Sequence, residues 1–476
     1  MKPLGTVPLL ARAQEQLSSS PAASPPVPHV EYAVQSPAID WPLVVTLRRQ
    51  ASAEIATHLG AHMENGGPPL AEADRRMLGR SVARSVVRAY AREQSDRGQS
   101  LWSLATEQVY AQALENAIFG FGRLQPLFEI PAAENIEING YSSVMVHYPD
   151  GTRTAHPPVA DSDEELIEAI RFLGESASPA RPFDEAHPTM TLALGDRFRL
   201  HAIAFGLAHR PAVTIRQHTM THVSLSDLAE TGMLPQSLAR LLGAAIRARK
   251  SMVISGDQGA GKTTLLRGLI AAIPLSERFG TLETDYELLT HLQPGRHNVV
   301  ALQARIGMGE LVSGRHVGEY TVADLIPEAL RQNLSRLVVG EVRGSEAGAM
   351  FQAMQAGAGT LSTTHSHSAE STIDRLAARV AEGGVLGMDE AFRQIAHHID
   401  LLIHVHLTDD TWRGGRRRRT VAEVRHLTGA IEGGRPVTHL VYRSEGTGSG
   451  ALDPGERLTR ELGEFLAEPS EAGRHA

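Results

Sequence analysis

Gly256-Asp257-Gln258-Gly259-Ala260-Gly261-Lys262-Thr263 fits the pattern G-x-x-x-x-G-K-[ST] and carries the most explicit chemistry in this sequence. Glycines at this spacing let successive backbone N–H groups curl around an anion. A helix that begins at the lysine adds the positive end of its dipole. Lys262 would reach the β- and γ-phosphates of a nucleoside triphosphate, and the Thr263 hydroxyl would ligate Mg²⁺. The expected ligands are therefore ATP and Mg²⁺, cradled by Gly256 through Thr264. A second stretch, Leu337-Val338-Val339-Gly340-Glu341, is an apolar run ending in a carboxylate. At the carboxyl end of a parallel strand, Glu341 would polarise an attacking water or hold the hydration shell of the metal. The aspartate common before that glutamate is replaced by Gly340.

These residues need particular elements under them. Ser251 to Ser255 reads as a short buried strand, and Thr264 to Ile273 as a helix, which are the flanks a phosphate loop requires. The chain has 476 residues, enough for two or three domains. Its net charge of −8 supplies no general basic field for nucleic acid. With no cysteine it forms no disulfide and no thiolate metal site, which suits a reducing compartment. No apolar run is long enough to span a bilayer, and the start of the chain is too weakly apolar for a signal peptide.

Residues 1–40 are rich in Pro, Ala and Ser and are expected to be a disordered arm. A helical region is expected over 41–118, with patterns at Leu43–Leu59, Leu70–Arg92 and Leu101–Ile118. Arg80, Arg84 and Arg88 recur every fourth residue and are read as the solvated face of the second helix. An α+β domain follows over 119–218, with alternating strands such as Thr189–Leu194, Phe198–Ile203 and Ala212–Arg216 and a helix over Asp163–Gly174. A linker or hinge is expected over 219–227, and the P-loop domain over 228–443, opening with one helix from Leu228 to Arg249. The last part, 444–476, is expected to be a flexible tail carrying a short charged helix. Arg413-Gly414-Gly415-Arg416-Arg417-Arg418-Arg419 lies between two strand-like runs. It is read as a solvated hairpin turn, with docking to an acidic surface or anionic lipid as the alternative.

Four further stretches stand in a telling order. Gly340-Glu341-Val342-Arg343-Gly344 resembles the acidic strand end of the ATPases that drive type II and type IV secretion and pilus assembly. Thr281 to Leu288 resembles that family's acidic box, and Gly359 to Ser368 its histidine box. Thr321 to Leu325 with Leu330-Arg331 resembles its arginine-bearing helix. Upstream, Gly120 to Leu127, Glu137 to Gly140, Arg181 to Asp184, Arg199 to Ala202 and Thr214 to Arg216 resemble its amino-terminal signatures. The resemblance spans roughly residues 110–430 and is nearest the tight-adherence, CpaF-like pilus assembly branch.

The resemblance implies an α/β fold: a RecA-like P-loop ATPase domain, preceded by a small PAS-like α+β domain and a helical region. It implies Glu341 and Glu283 as an acidic pair for water and metal, and His365 as the group that senses the γ-phosphate. Arg199 and Arg216 would reach across the cleft, as would Arg331 or Arg343, because guanidinium groups stabilise the spread charge of phosphoryl transfer. Which of Asp285 and Glu287 joins Glu283 at the metal is open, since the order here is Glu-Thr-Asp. His365 and His367 together also invite a metal-site reading, for which the sequence offers no further matched ligand. The implied partners are other copies of the chain, as a hexamer, and an inner-membrane platform protein, with no stable nucleic acid. The implied location is cytoplasmic, touching the membrane peripherally through that partner. Two other functions remain open: a DNA-translocating or conjugation-type ATPase, and a regulatory scaffold that binds ATP without turning it over.

Overall fold

The computed structural model describes residues 39–467, except 178–179, 196, 306, 308–310, 313, 343, 345, 356–358, 385 and 446–448. The expected arm, but for its last two residues, lies outside the described residues. So do 468–476 of the expected tail.

The described residues from 39 to 120 form one compact unit. It contains α1 (Trp41–Glu64), α2 (Glu72–Asp96) and α3 (Leu104–Phe119). Asp40 caps α1 by accepting from Leu43 N, and Ser103 caps α3 by accepting from Thr106 N, which satisfies N–H groups left open at a helix start. Val44, Leu47, Val82, Val86, Val87 and Leu114 bury the apolar stripes of the three helices in one core. Arg80 and Arg88 are exposed and face Glu115 and Glu107.

The rest, from Phe121, is the second unit. Its first part is a six-stranded antiparallel sheet in the order β3-β2-β1-β6-β5-β4. The strands are β1 (Asn135–Asn139), β2 (Val144–His147), β3 (Arg153–His156), β4 (Thr189–Leu194), β5 (Phe198–Ile203) and β6 (Ala212–Gln217). Helix α4 (Asp163–Ser176) is capped by Ser162, and three carboxylates in its first turn complement the helix dipole. Its Leu166, Ile170 and Leu173 pack on Ile136, Ile138, Leu192, Leu200 and Ile215 from one face of the sheet. Side chains alternate along a strand, so burying Leu200, Ala202, Val213 and Ile215 turns Arg199, His201, Thr214 and Arg216 to the other face. Arg199 and Arg216 stand directly opposite each other across β5 and β6.

The expected linker and the single helix behind it differ from what forms. Ser224 and Asp227 make a capping box that starts α5 (Leu225–Glu230) inside the interval 219–227. The chain then turns through Thr231-Gly232-Met233-Leu234-Pro235 before α6 (Gln236–Arg247). Gly232 takes a positive φ and Pro235 precedes the second helix, so the run read as one helix forms two.

A nine-stranded sheet follows, in the order β17-β16-β15-β14-β7-β13-β12-β8-β9. Its parallel part is β14 (Leu401–Asp409), β7 (Met252–Ser255), β13 (Leu361–Thr364), β12 (Arg336–Val339), β8 (Phe279–Glu283) and β9 (Val299–Gln303). Strand β13 separates the P-loop strand β7 from the acidic strand β12, the strand arrangement of a RecA-like domain. Helices α7 (Lys262–Ala271), α8 (Val322–Leu330), α9 (Glu346–Gln355), α10 (Ala369–Glu382) and α11 (Met388–His398) contribute to the two cores on its faces. A two-residue hairpin, β10 (Leu311–Val312) with β11 (Arg315–His316), sits before α8.

The end of the chain extends this sheet. Strands β15 (Arg417–Glu432), β16 (Arg435–Ser444) and β17 (Gly450–Leu452) add antiparallel to β14. Helix α12 (Gly455–Ala467) buries Leu458 and Leu462 in the same core as the P-loop helix. Lys250 also pairs with Glu461 at 2.6 Å. Residues 450–467 are therefore part of the domain built on the nine-stranded sheet, which corrects the expectation of a flexible tail beginning at 444. The charged spacing of α12 hid a strongly amphipathic helix.

Candidate functional site

Strand β7 is buried along its whole length, as an interior parallel strand should be. It delivers Gly256 against β14 so closely that an added Cβ would fall on the Val405 carbonyl oxygen, and its φ of 152° is open only to glycine. The loop then turns into α7 at Lys262. Lys262 is only 7% exposed. Its Nζ donates to Gly256 O at 3.0 Å and Asp257 O at 2.9 Å, and lies 3.3 Å from His365 Nδ1. Thr263, Thr264, Gln258, Gly259 and Gly261 line a cavity of about 850 Å³, while Ala260 is buried under the loop.

The carboxyl ends of β12 and β13 meet this loop. His365 Nε2 lies 2.9 Å from Glu341 Oε1, so one imidazole joins Lys262 to the carboxylate. The Thr363 hydroxyl donates to Gly340 O at 2.7 Å and the Thr364 hydroxyl to Val342 O at 3.1 Å, fixing the Glu341 segment to β13. Glu283, at the end of β8, accepts from Glu287 N at 3.0 Å and Leu288 N at 2.8 Å through Oε1. Its Oε2 is buried with no hydrogen-bond partner among the described residues. Burial pushes this carboxyl up to about 7, although the two backbone donors pull the other way. A Cβ on Gly340 would stand 3.1 Å from Glu283 Cγ. The missing aspartate thus has a spatial reason: the Glu283 side chain from the neighbouring strand occupies its side of the site.

Arginines close the cavity from the α+β domain. Arg199 reaches Asp285 and Glu287, each at 2.7 Å, and Arg216 lines the cavity beside it. Two guanidinium groups directly across a strand pair repel, and these acidic neighbours offset that repulsion. Burial would raise the Glu287 carboxyl, but Arg216, Arg199 and His218 outweigh it and hold the group low. His218 is depressed to about 4, chiefly by burial and then by Arg267. The Asp285 and Glu287 carboxylates therefore hold Arg199, and Glu283 is the member of the acidic box packed against Gly340.

Thus Lys262, Thr263, Thr264, Glu341, His365, Arg199 and Arg216 line one cavity, whereas Glu283 is not in its lining and packs against Gly340, the residue before Glu341. Arg331 is elsewhere: it ends α8, is exposed and pairs with Glu328 at 2.7 Å. Arg343 lies outside the described residues. His367 is exposed and faces Asp257 at 3.4 Å.

Several lining residues were not legible in the sequence. Arg267 is buried one turn after Thr263 and donates to Glu287 O and, at 2.9 Å, to Met220 O. Burial lowers its guanidinium to about 10. The basic run is only half a solvated turn. Arg413 and Arg416 are exposed, but Arg417, Arg418 and Arg419 line the cavity as β15 begins. Glu134 meets Arg419 there at 2.6 Å. Three consecutive arginines show no alternation of residue type, so the sequence carried no signal that separates these lining residues from a solvated turn.

The donor set suits a magnesium triphosphate. It offers a helix N-terminus and lysine for phosphates, a threonine hydroxyl, and two carboxylates, one with an orphaned buried oxygen. A family profile described as "Type II/IV secretion system protein" matches residues 159–434. A putative conjugal transfer protein of Mycobacterium tuberculosis is 30% identical over 332 residues, 67% of this chain and 89% of the relative. Conjugal transfer protein TrbB of Rhizobium radiobacter is 31% identical over 224 residues, 46% of this chain and 61% of that protein. The X-ray structure of the ATPase DotB of Legionella pneumophila is similar with a TM-score of 0.42 and 20% identity, over 71% of this chain and 85% of that one.

Proposed function

This chain belongs to the type II/IV secretion system protein family, and on that premise we propose that it is an ATP-hydrolysing motor. The single observation that carries the reading is the linkage of Lys262, His365 and Glu341 in one cavity, at 3.3 Å and 2.9 Å.

In this reading the N–H groups at the start of α7 and Lys262 bind the β- and γ-phosphates. Thr263, with Glu341 through water and Glu283 behind it, would hold Mg²⁺. When bound with the nucleotide, the ion neutralises charge gathering between the β- and γ-phosphates. Glu341 orients the water and takes its proton as the water oxygen bonds to the γ-phosphorus. The bond from phosphorus to the β–γ bridging oxygen breaks, and the electrons leave with ADP. His365 Nε2 lies 2.9 Å from Glu341 and its Nδ1 lies 3.3 Å from Lys262 Nζ, so the carboxylate's position would follow the phosphate end of the site. Arg199 and Arg216 would stabilise charge on the transferred group from the opposite wall.

Cleft closure between the α+β sheet and the RecA-like domain would be the power stroke, with residues 219–224 as the hinge. The working assembly in this reading is a hexameric ring in the cytoplasm, acting on an inner-membrane platform of a secretion or tight-adherence pilus system. Glu341→Gln tests the reading: turnover should fall at least about 100-fold while nucleotide still binds. Equal turnover in variant and wild type would favour the non-hydrolysing scaffold. A second reading, conjugative transfer, is favoured by the conjugal transfer names of the two relatives. Stimulation of turnover by added DNA would select it.

A further inference from the structure

Glu134 stands one residue before β1, and Arg419 lies on β15 of the nucleotide domain. Arg419 Nη2 donates to both Glu134 oxygens, at 2.6 and 2.9 Å. The same guanidinium donates from Nη1 to Pro149 O at 3.2 Å and from Nε to Gly259 O at 2.8 Å. One side chain thus holds two places on the α+β domain and the phosphate loop together. Only a planar fork with several fixed donors can do this, so lysine is no substitute. The Arg419 and Glu134 side chains are 21% and 17% exposed, so water screens the pair little. Arg417 supports the same junction more loosely: it lies 3.8 Å from Glu134, pairs with Asp409, and its backbone N–H donates to Asp150 O.

The contact continues beyond Gly259. A peptide unit is planar, so the Gly259 carbonyl and the Ala260 N–H turn as one body. Ala260 N–H donates to Asp257 O at 3.2 Å, and that oxygen also accepts from Lys262 Nζ at 2.9 Å. Lys262 meets His365, and His365 meets Glu341. An unbroken chain of polar contacts therefore runs from Glu134 on the α+β domain to Glu341 beyond the end of β12.

We propose that Arg419, anchored by Glu134, is a positioning residue that couples the α+β domain to the P-loop. Where that domain sits sets the Gly259–Ala260 peptide, and nucleotide binding in turn moves the domain through it. The inference rests on reading the cavity as an ATP site, and adds the route by which that site and the domain communicate. A contiguous network becomes a coupling only when both ends respond to each other, which can be measured.

Since the chain has no cysteine, Leu207→Cys on the α+β domain and Met388→Cys on the nucleotide domain give two specific spin-label sites, both exposed. In the labelled parent, a non-hydrolysable ATP analogue should shift the distance between the labels. Glu134→Gln should weaken analogue binding about tenfold and, at saturating analogue, leave the distance unshifted. Arg419→Ala should do the same, Arg419→Lys should not restore the shift, and the double variant should bind no more weakly than Arg419→Ala alone. A normal shift in Glu134→Gln and Arg419→Ala, or additive losses of affinity, overturns the coupling. If Arg419→Ala does not fold, Glu134→Gln decides, because it leaves the bonds to Gly259 and Pro149 in place. A parent that binds the analogue without any shift refutes the coupling and spares the ATP site. A parent that binds none refutes both.

Discussion

At the scale of single residues, Glu283 is the most exposed to experiment. Its carboxyl is raised from an ordinary 4.5 to about 7 by burial, so the folded chain prefers it protonated. That preference stabilises the fold fully below about pH 4.5 and is lost as pH rises through 7, where a charge must sit in a buried site. Glu283→Gln keeps the oxygen that accepts from Glu287 N and Leu288 N and removes that charge. Its nucleotide-free melting temperature should exceed wild type at pH 8, by on the order of 3 kcal/mol in stability, and match it near pH 4.5. A constant difference across that range would reject the buried-charge account. Gly340 gives a companion test. Gly340→Asp restores the residue common at that place but brings its Cβ within 3.1 Å of Glu283 Cγ, a tight contact that makes Glu283 give by a few tenths of an ångström, and sets two carboxylates side by side. It should lower stability and nucleotide affinity, and Glu283→Ala should partly relieve both, as read by thermal melts and analogue titration.

At the scale of elements, α12 carries a clear prediction. Leu458→Ala should destabilise by about 2–5 kcal/mol, as a truncation in a closed core does, read by denaturant unfolding. A surface-like change below about 0.5 kcal/mol would return this segment to the status of a tail. The same helix shows what a sequence displays and what it conceals. Thr189–Leu194 and Phe198–Ile203 were read residue for residue, because each strand has one buried and one polar face and the period of two is visible. The P-loop and its flanks were readable for a stronger reason: close backbone approach, anion-facing N–H groups and a buried strand each demand particular residues. By contrast, Leu228 through Arg249 reads as one helix because apolar residues continue on both sides of the break made by Gly232 and Pro235. Arg417 and Arg419 looked solvated because charge dominates composition, whereas their partners Glu134, Pro149 and Asp409 are set by folding and not by neighbourhood in sequence. Asp285 could not be told from Glu283 before β8 fixed which carboxylate packs on Gly340 and which face Arg199.

At the scale of the whole molecule, the second unit places a polar sheet face and a phosphate loop on two sides of one cavity, and its use as a motor predicts assembly. In the proposed ring, mass photometry of the full chain with ATP analogue should show six copies, and a monomer under all conditions would count against that assembly. The sheet order has another consequence, which concerns time. Strand β7 is flanked by β13 and β14, and Ser255 of β7 contacts His404 across a separation of 149 residues. Gly256 leans on Val405, and Arg419 closes the loop from still further along. During synthesis the phosphate loop therefore waits, at about 5–20 residues per second, for roughly 7–32 s before the last of the segments that shape it leave the ribosome. Ribosome-bound chains halted with residue 390 as the last to emerge should fail to bind ATP analogue, and those released past residue 440 should bind it. Until β13 at residues 361–364 emerges the apolar strand beside the loop lacks both of its neighbours, and until β14 emerges it lacks one, and this is the stage at which a newly made copy most needs shelter from its neighbours.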